Sequence, residues 1–396
     1  MKNYYGSALI AGIAMLGNTY TSIAQAQEPI SFYANGKYGL KVGNGAVIVE
    51  PTYYSISDFS EGLAVVMLGT LETGTKSGFI DKTGKVVVEI KYDRVFDFSE
   101  GLAVVIYGDN KTEIKAGFVD KTGHEVIEPK YNNAYSFSEG LAAVGFGSLK
   151  TGFKQGYIDK TGKVIIELKY DQAYKFSGGL AKIALGRDVH GYKWGFIDKT
   201  GKAICEQKYN TVENFAEGLA AVGAVNTEGE LKQGYINKTG QEIIKLKYAF
   251  AESFSEGLAV VKTGNEIDGY KYGYINKTGQ EVIKLQYAYA TGFSEGLAAV
   301  RTGNDDIGYK SFYVDKTGKV VIAVKYIGLQ KFSEGLAGVG LRETPDADIK
   351  YGYIDKTGKL IIPIQYSSAF NFKNGRARVG LNGKSILLDK QGKTIE

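Results

Sequence analysis

The chain has 396 residues, of which 44% are hydrophobic, with 29 Tyr, 19 Phe and only 5 Pro, a composition that excludes a disordered polymer. Its formal charge of +5 is spread along the chain and not gathered into a basic stripe, so nucleic acid is not expected as a partner. A single cysteine, Cys205, excludes an intramolecular disulfide framework, and stability must come from apolar burial and β-pairing.

In chain order, residues 1–26 read as a secretory signal peptide. Lys2 is a short basic region, Ser7 to Gly17 is an apolar run too short to span a bilayer comfortably, and Ala24-Gln25-Ala26 is a small-x-small cleavage signature. Cleavage after Ala26 and export to the periplasm or the exterior are expected. An uncleaved anchor is disfavoured because Gly12 and Gly17 interrupt or bound the run. No later window approaches the roughly 20 apolar residues of a membrane helix, so residues 27–396 are expected to carry no span.

From there one unit repeats. The Phe that opens a Phe-Ser-Glu-Gly-type segment recurs at Phe59, Phe98, Phe137, Phe176, Phe215, Phe254, Phe293, Phe332 and Phe372, at intervals of 39 residues except for a final 40. So strict a period means one supersecondary unit copied in tandem. Each unit also carries a tetrapeptide, beginning at Asp81, Asp120, Asp159, Asp198, Asn237, Asn276, Asp315, Asp355 and, as a variant, Asp389. An aromatic-aliphatic pair precedes it and a β-branched run follows, as in Tyr157-Ile158 and Val86-Val87-Val88. That predicts a hairpin closed by a type I turn and a bulge, with the Gly in the left-handed conformation.

The strand after the turn runs to a Lys-Tyr or Gln-Tyr pair, and Pro51, Pro129 and Pro363 near its end predict that its ladder stops there. A connection of about ten residues follows, helical turn or irregular extended segment, which periodicity alone does not decide. The next strand begins at Leu-Ala and is apolar on both faces, as in Leu102-Ala-Val-Val105, so cover is expected on both sides. A loop of uncopied sequence then leads to Gly78, Gly117, Gly156, Gly195, Gly234, Gly273 or Gly352, where a close approach of backbone or ring is expected. Phe312 breaks that pattern.

The prediction is an all-β chain of ten tandem three-stranded meanders of about 39 residues. A curved open repeat stack is favoured, with a closed β-propeller ring or two five-bladed propellers as the alternative.

The segments Trp194-Gly195-Phe196-Ile197-Asp198 and Phe215-Ala-Glu-Gly-Leu-Ala220 resemble the WG (KWG) repeat family. The resemblance covers nearly all of residues 27–396, although only Lys193-Trp194-Gly195 keeps the Trp. It implies a repeat fold and no shared enzymatic activity. A weaker likeness is to choline-binding and other cell-wall-binding repeats.

Catalysis needs unlike groups converging on one spot, whereas the recurring Asp and Glu sit in turns where they make structural sense, and Asn237 and Asn276 replace the Asp. Asp305-Asp306, or Asp346 with Asp348, is a minor calcium candidate. His124, His190 and Cys205 do not suggest a zinc site or a dyad. No enzyme activity and no cofactor are expected. Recognition is expected in the variable loops, three of which share Gly-Tyr-Lys. The candidate ligand-binding residues are Tyr192, Lys193, Trp194, Tyr270, Tyr272 and Tyr309, aromatic and cationic anchors suited to a protein or an envelope glycan. The competing view is a structural or self-assembly component of the envelope.

Overall fold

A computed structural model describes residues 28–395 except 44, 71, 73, 109–112, 149–151, 266–268, 305–307, 343, 345 and 346. The predicted signal peptide and the Asp305-Asp306 and Asp346 candidates lie outside the described residues. Two compact units divide the chain, residues 1–91 and 92–396. The described residues form antiparallel sheets and no helix.

Ten small sheets follow one another in tandem, two in the first unit and eight in the second, each built like a propeller blade from strands taken in chain order. In a representative blade the strands are Gln172–Ala173, Leu180–Asp188, Gly191–Asp198 and Ala203–Tyr209. The expected meander of three is therefore joined, in seven of the sheets, by a fourth strand of two residues drawn from the connection. In the representative blade it pairs Gln172 with Ala184 and Ala173 with Ile183. The connection is extended, and its backbone groups are satisfied by the sheet they enter.

The tetrapeptide makes the predicted turn. Gly162 N–H donates to the Asp159 carbonyl at 3.0 Å and Asp159 N–H to the Lys163 carbonyl at 3.0 Å, with Gly162 at φ 84°. Asp159 Oδ1 accepts from Thr161 N–H, Thr161 Oγ1 and Lys163 N–H. Those bonds favour the ionised form and hold the carboxyl below its ordinary range, the Thr161 hydroxyl contributing most. Asn237 reproduces the same three contacts, which is why Asn substitutes there without loss.

The glycine that reopens the returning strand is required by a bulge. A Cβ on Gly156 would lie 2.4 Å from the Ile166 carbonyl oxygen and 2.6 Å from that of Glu167, because the outer strand skips from Ile166 to Tyr170 against Tyr157 and Gln155. Where Phe312 replaces glycine the bulge is gone, and Ser311, Phe312 and Tyr313 pair in plain register with Val324, Ala323 and Ile322.

The core lies between successive sheets. One cluster joins Leu219, Ala221, Tyr235, Ile244 and Tyr248 of one blade to Ala251, Phe254, Ala259, Val261 and Ile275 of the next. An aromatic pair recurs at seven junctions of the second unit, as in Tyr157 against Phe176 at 4.8 Å and Tyr313 against Phe332 at 4.8 Å, and the Tyr157 hydroxyl donates to the Tyr174 carbonyl at 2.7 Å. Burial pushes the Tyr157 phenol far above its ordinary value.

A second lock sits in the Ser-Glu-Gly turn. Ser255 and Leu258 exchange both backbone hydrogen bonds, which leaves Glu256 and Gly257 as the two central residues of a tight hairpin, at φ 56° and 88°. Glu61, Glu100, Glu139, Glu217, Glu256, Glu295 and Glu334 all adopt positive φ, between 50° and 56°, a conformation that costs a side-chain-bearing residue about 1–2 kcal/mol. In the second unit the carboxylate compensates by reaching the next blade. Glu295 accepts from Gly335 N–H at 3.1 Å and pairs with Lys356 Nζ at 2.9 Å, and Glu217 does the same with Gly257 and Lys277. Gly178 stands where the carboxylate is absent, and Lys238 reaches only the Gly178 carbonyl, at 3.4 Å.

Candidate functional site

Directly opposed residues of an antiparallel pair project from the same face, so each blade with a short strand carries a row of three positions drawn from its short, outgoing and returning strands, of which six follow. The rows are Arg94, Ile106, Ala116; Asn133, Gly145, Gln155; Gln172, Ala184, Trp194; Thr211, Gly223, Gln233; Phe250, Lys262, Tyr272; and Tyr289, Arg301, Ser311. The residues beside these rows repeat almost unchanged from blade to blade, whereas the rows themselves diverge. This is where the scaffold is individualised.

The candidate residues of the sequence reading sit on these strands and not in loops, because the outgoing and returning strands stay paired out to Asp188 with Gly191, Asn265 with Gly269 and Asn304 with Gly308. Tyr192, Lys193 and Trp194 fall in one blade. Trp194 meets Tyr174 at 5.7 Å and Tyr192 at 6.2 Å between ring centroids. Lys182 lies 5.1 Å from the Tyr174 ring and Arg187 5.5 Å from that of Tyr192. Lys193 is committed to an ion pair with Asp188 at 2.8 Å; this contact, first among the influences on Asp188, holds its carboxyl below its ordinary range.

Tyr270, Tyr272 and Tyr309 belong to a second assembly that runs over two adjacent blades. Lys262 Nζ lies 3.8 Å from the Tyr270 ring, 5.7 Å from Tyr272 and 5.8 Å from Phe250. Tyr272 touches Tyr289 of the next blade at 6.0 Å. Arg301 then continues the series, with its guanidinium carbon 5.8 Å from the Tyr289 ring and 4.2 Å from Tyr309. Rings and cations thus form a continuous series from Phe250 to Tyr309, with Phe250, Tyr289 and Tyr309 exposed. Burial pushes the Tyr272 phenol up, and Arg301 opposes that shift. Phe250, Lys262, Tyr289 and Arg301 were missed by the loop reading. The signal for Lys262 and Arg301 was a charged residue four places after the Leu of Leu-Ala, in a strand otherwise apolar on both faces.

The third residue of a row faces the next blade in two different ways. The Gln155 side-chain oxygen accepts from Ala173 N–H at 2.7 Å, and that of Gln233 from Ala251 N–H at 2.6 Å, so glutamine fills the space and satisfies the neighbour's short strand. Beside Ser311 lies a cavity of about 260 Å³ lined by Tyr289, Arg301, Ser311 and Ile327 to Leu329, among others. A second cavity, of about 520 Å³, is lined by Arg94, Phe96, Ile106, Ile114, Tyr135, Phe153 and Gln155, among others.

The recurring carboxylates have structural partners, the Asp in its own turn and the Glu across blades. Cys205 is buried between sheets, which pushes its thiol up. Among the described residues no three His, Cys, Asp or Glu side chains gather as a metal ion would require.

The family model described as "WG containing repeat" matches nine stretches, residues 35–69, 78–110, 117–148, 156–186, 194–223, 234–266, 272–304, 312–342 and 351–384. No curated protein matches the chain. Among solved structures, a eukaryotic initiation factor is 12% identical with a TM-score of 0.48, over 85% of this chain and 95% of that one. An uncharacterized Listeria monocytogenes protein is 11% identical at 0.37, over 87% and 94%. The β-propeller domain of the Trilobed protease from Pyrococcus furiosus is 9% identical at 0.32, over 66% and 95%. Likeness at this level carries nothing about activity.

Proposed function

The chain belongs to the WG-repeat family, and on that footing we propose that it is an exported, non-catalytic scaffold that binds an acidic glycan of the cell envelope through its ring-and-cation rows. One observation carries this reading: the continuous series of rings and cations formed by Phe250, Lys262, Tyr270, Tyr272, Tyr289, Arg301 and Tyr309 over two blades. Aromatic faces take the apolar faces of sugar rings while the cations between them take carboxylates or sulfates. The composition of residues 1–26 favours a place outside the cytoplasm.

The test is retention of an envelope polysaccharide fraction by immobilised protein. Replacing Tyr192, Trp194, Tyr270 and Tyr272 together by Ala is expected to abolish retention with the circular-dichroism spectrum unchanged. Undiminished retention by that variant would refute the reading. Oligomers that grow with concentration in light scattering and ignore the substitutions would favour the assembly role instead.

A further inference from the structure

Three features coincide in one blade. Phe312 stands in place of glycine and removes the bulge of the outer strand, Ser311 is small, like Ser77 and Ala116, where the adjoining blades carry Tyr272 and Tyr351, and Arg301, like Lys262 in the blade before it, is a cation where Ala184 and Gly223 stand in their own rows. The following segment, Ile327 to Leu329, forms no short strand, although Ile327 N–H still donates to the Gly340 carbonyl at 2.9 Å. The result is the 260 Å³ cavity between Arg301, Tyr289, Ser311 and that segment.

Arg301 is out of keeping with a packing role. Its Nε is buried and makes no hydrogen bond, and no ion pair engages its guanidinium among the described residues. A buried, unanswered N–H of a cation is destabilising, and the fold does not require a cation at this position, since Gly145, Ala184 and Gly223 occupy it in other rows and Lys262 in the preceding one. Tyr289 and Tyr309 lie beside the guanidinium, their ring centroids 5.8 and 4.2 Å from its carbon, and the fork of such a group suits a planar anion.

We propose that this cavity is a binding subsite for a carboxylate-bearing sugar ring, a hexuronate, with the carboxylate on Arg301 and the ring against Tyr289 and the Ile327–Leu329 backbone. The assignment rests on the glycan reading above but fails separately from it. The cavity is of monosaccharide dimensions, open beside exposed Tyr289, and its one fixed charge is positive. A neutral hexose satisfies the ring contacts and leaves the guanidinium unanswered; acetate does the reverse.

The test is an NMR titration of the whole chain with galacturonate, galactose, acetate and trigalacturonate, following the Arg301 Nε–Hε resonance and the melting temperature. Galacturonate is expected to shift that resonance and to bind at least tenfold more tightly than galactose or acetate, and trigalacturonate at least as well as the monomer. Arg301→Gln is expected to reduce galacturonate binding at least tenfold. Ser311→Tyr is expected to block it, in a blade that should fold because Tyr272 and Tyr351 occupy the same place elsewhere. Arg376→Gln, at an exposed position outside both clusters, is expected to leave it unchanged. Equal binding of galactose and galacturonate, or of acetate and galacturonate, overturns the proposal, as does binding that survives both Arg301→Gln and Ser311→Tyr. Should Ser311→Tyr unfold, Arg301→Gln alone decides. Loss of envelope retention in the quadruple Ala variant with galacturonate binding intact assigns retention to the other rings and upholds the subsite. Retention by a chain that ignores galacturonate upholds the scaffold and overturns the subsite.

Discussion

Glu295 offers a direct test of the contact between blades. Its carboxylate accepts from Gly335 N–H with both oxygens, at 3.2 and 3.1 Å, and pairs with Lys356 at 2.9 Å. A charge-assisted bond of this kind contributes about 1.5–3 kcal/mol. The side chain is 28% exposed, so the lower end applies, and the ion pair to a 45% exposed lysine adds about 0.5 kcal/mol. Glu295→Ala should therefore cost about 2 kcal/mol. Glu295→Gly loses the same contacts but relieves the φ of 55°, which is worth about 1 kcal/mol, so it should cost only about 1 kcal/mol. The inversion of the usual order, glycine milder than alanine, is the diagnostic result. Urea unfolding followed by tyrosine fluorescence measures it. A glycine variant as damaged as the alanine variant, or an alanine variant within 0.5 kcal/mol of the parent, would refute the account of this turn.

The remaining predictions concern the same locks and the core. Gly178→Glu should restore the missing carboxylate opposite Lys238 and raise stability by about 1 kcal/mol, the contact outweighing the left-handed strain, as read by thermal melting. Acid should loosen the array. Burial works to raise the carboxyls of Glu217 and Glu295, but the lysine and the backbone N–H outweigh it and hold them below the ordinary value of 4.5. The stability they contribute is then full above that value and lost as pH falls through the lower folded value. A melting temperature flat from pH 7 to 3 would contradict this. Gly156→Ala should cost about 2–3 kcal/mol in a urea melt, since its Cβ has nowhere to go against the Ile166 carbonyl at 2.4 Å. Cys205, buried with its thiol pushed up, should resist a disulfide reagent in the folded chain and react at once in urea.

Much of the blade was legible because its turns are written in side chains. The Asp-Lys-Thr-Gly segment carries its own hydrogen-bond acceptor and its own left-handed glycine, and the glycine at 156 and its equivalents record a bulge that would collide with any Cβ. The short strand was invisible for a physical reason. Two residues give no periodicity, and pairs such as Gln172 with Ala184 are joined through backbone groups indifferent to sequence. The same indifference hid the long hairpins, whose divergent residues read as loops while their backbones remained paired out to Gly269 and Gly308. The rows became apparent only once register aligned residues from three strands. Tyr272 and Tyr309 were chosen for their chemistry, but Lys262 and Arg301, which link them to their neighbours, lay in a strand that otherwise reads as core.

The locks of the second unit reach from one blade to the next and rely on groups that most copies supply, a turn glycine, a lysine and a carboxylate. Such a joint is a standard coupling. Duplication or reshuffling of a 39-residue cassette would preserve the fit on both sides while importing a different trio of row residues, and the chain can thereby acquire new specificities by rearrangement, ahead of any point mutation.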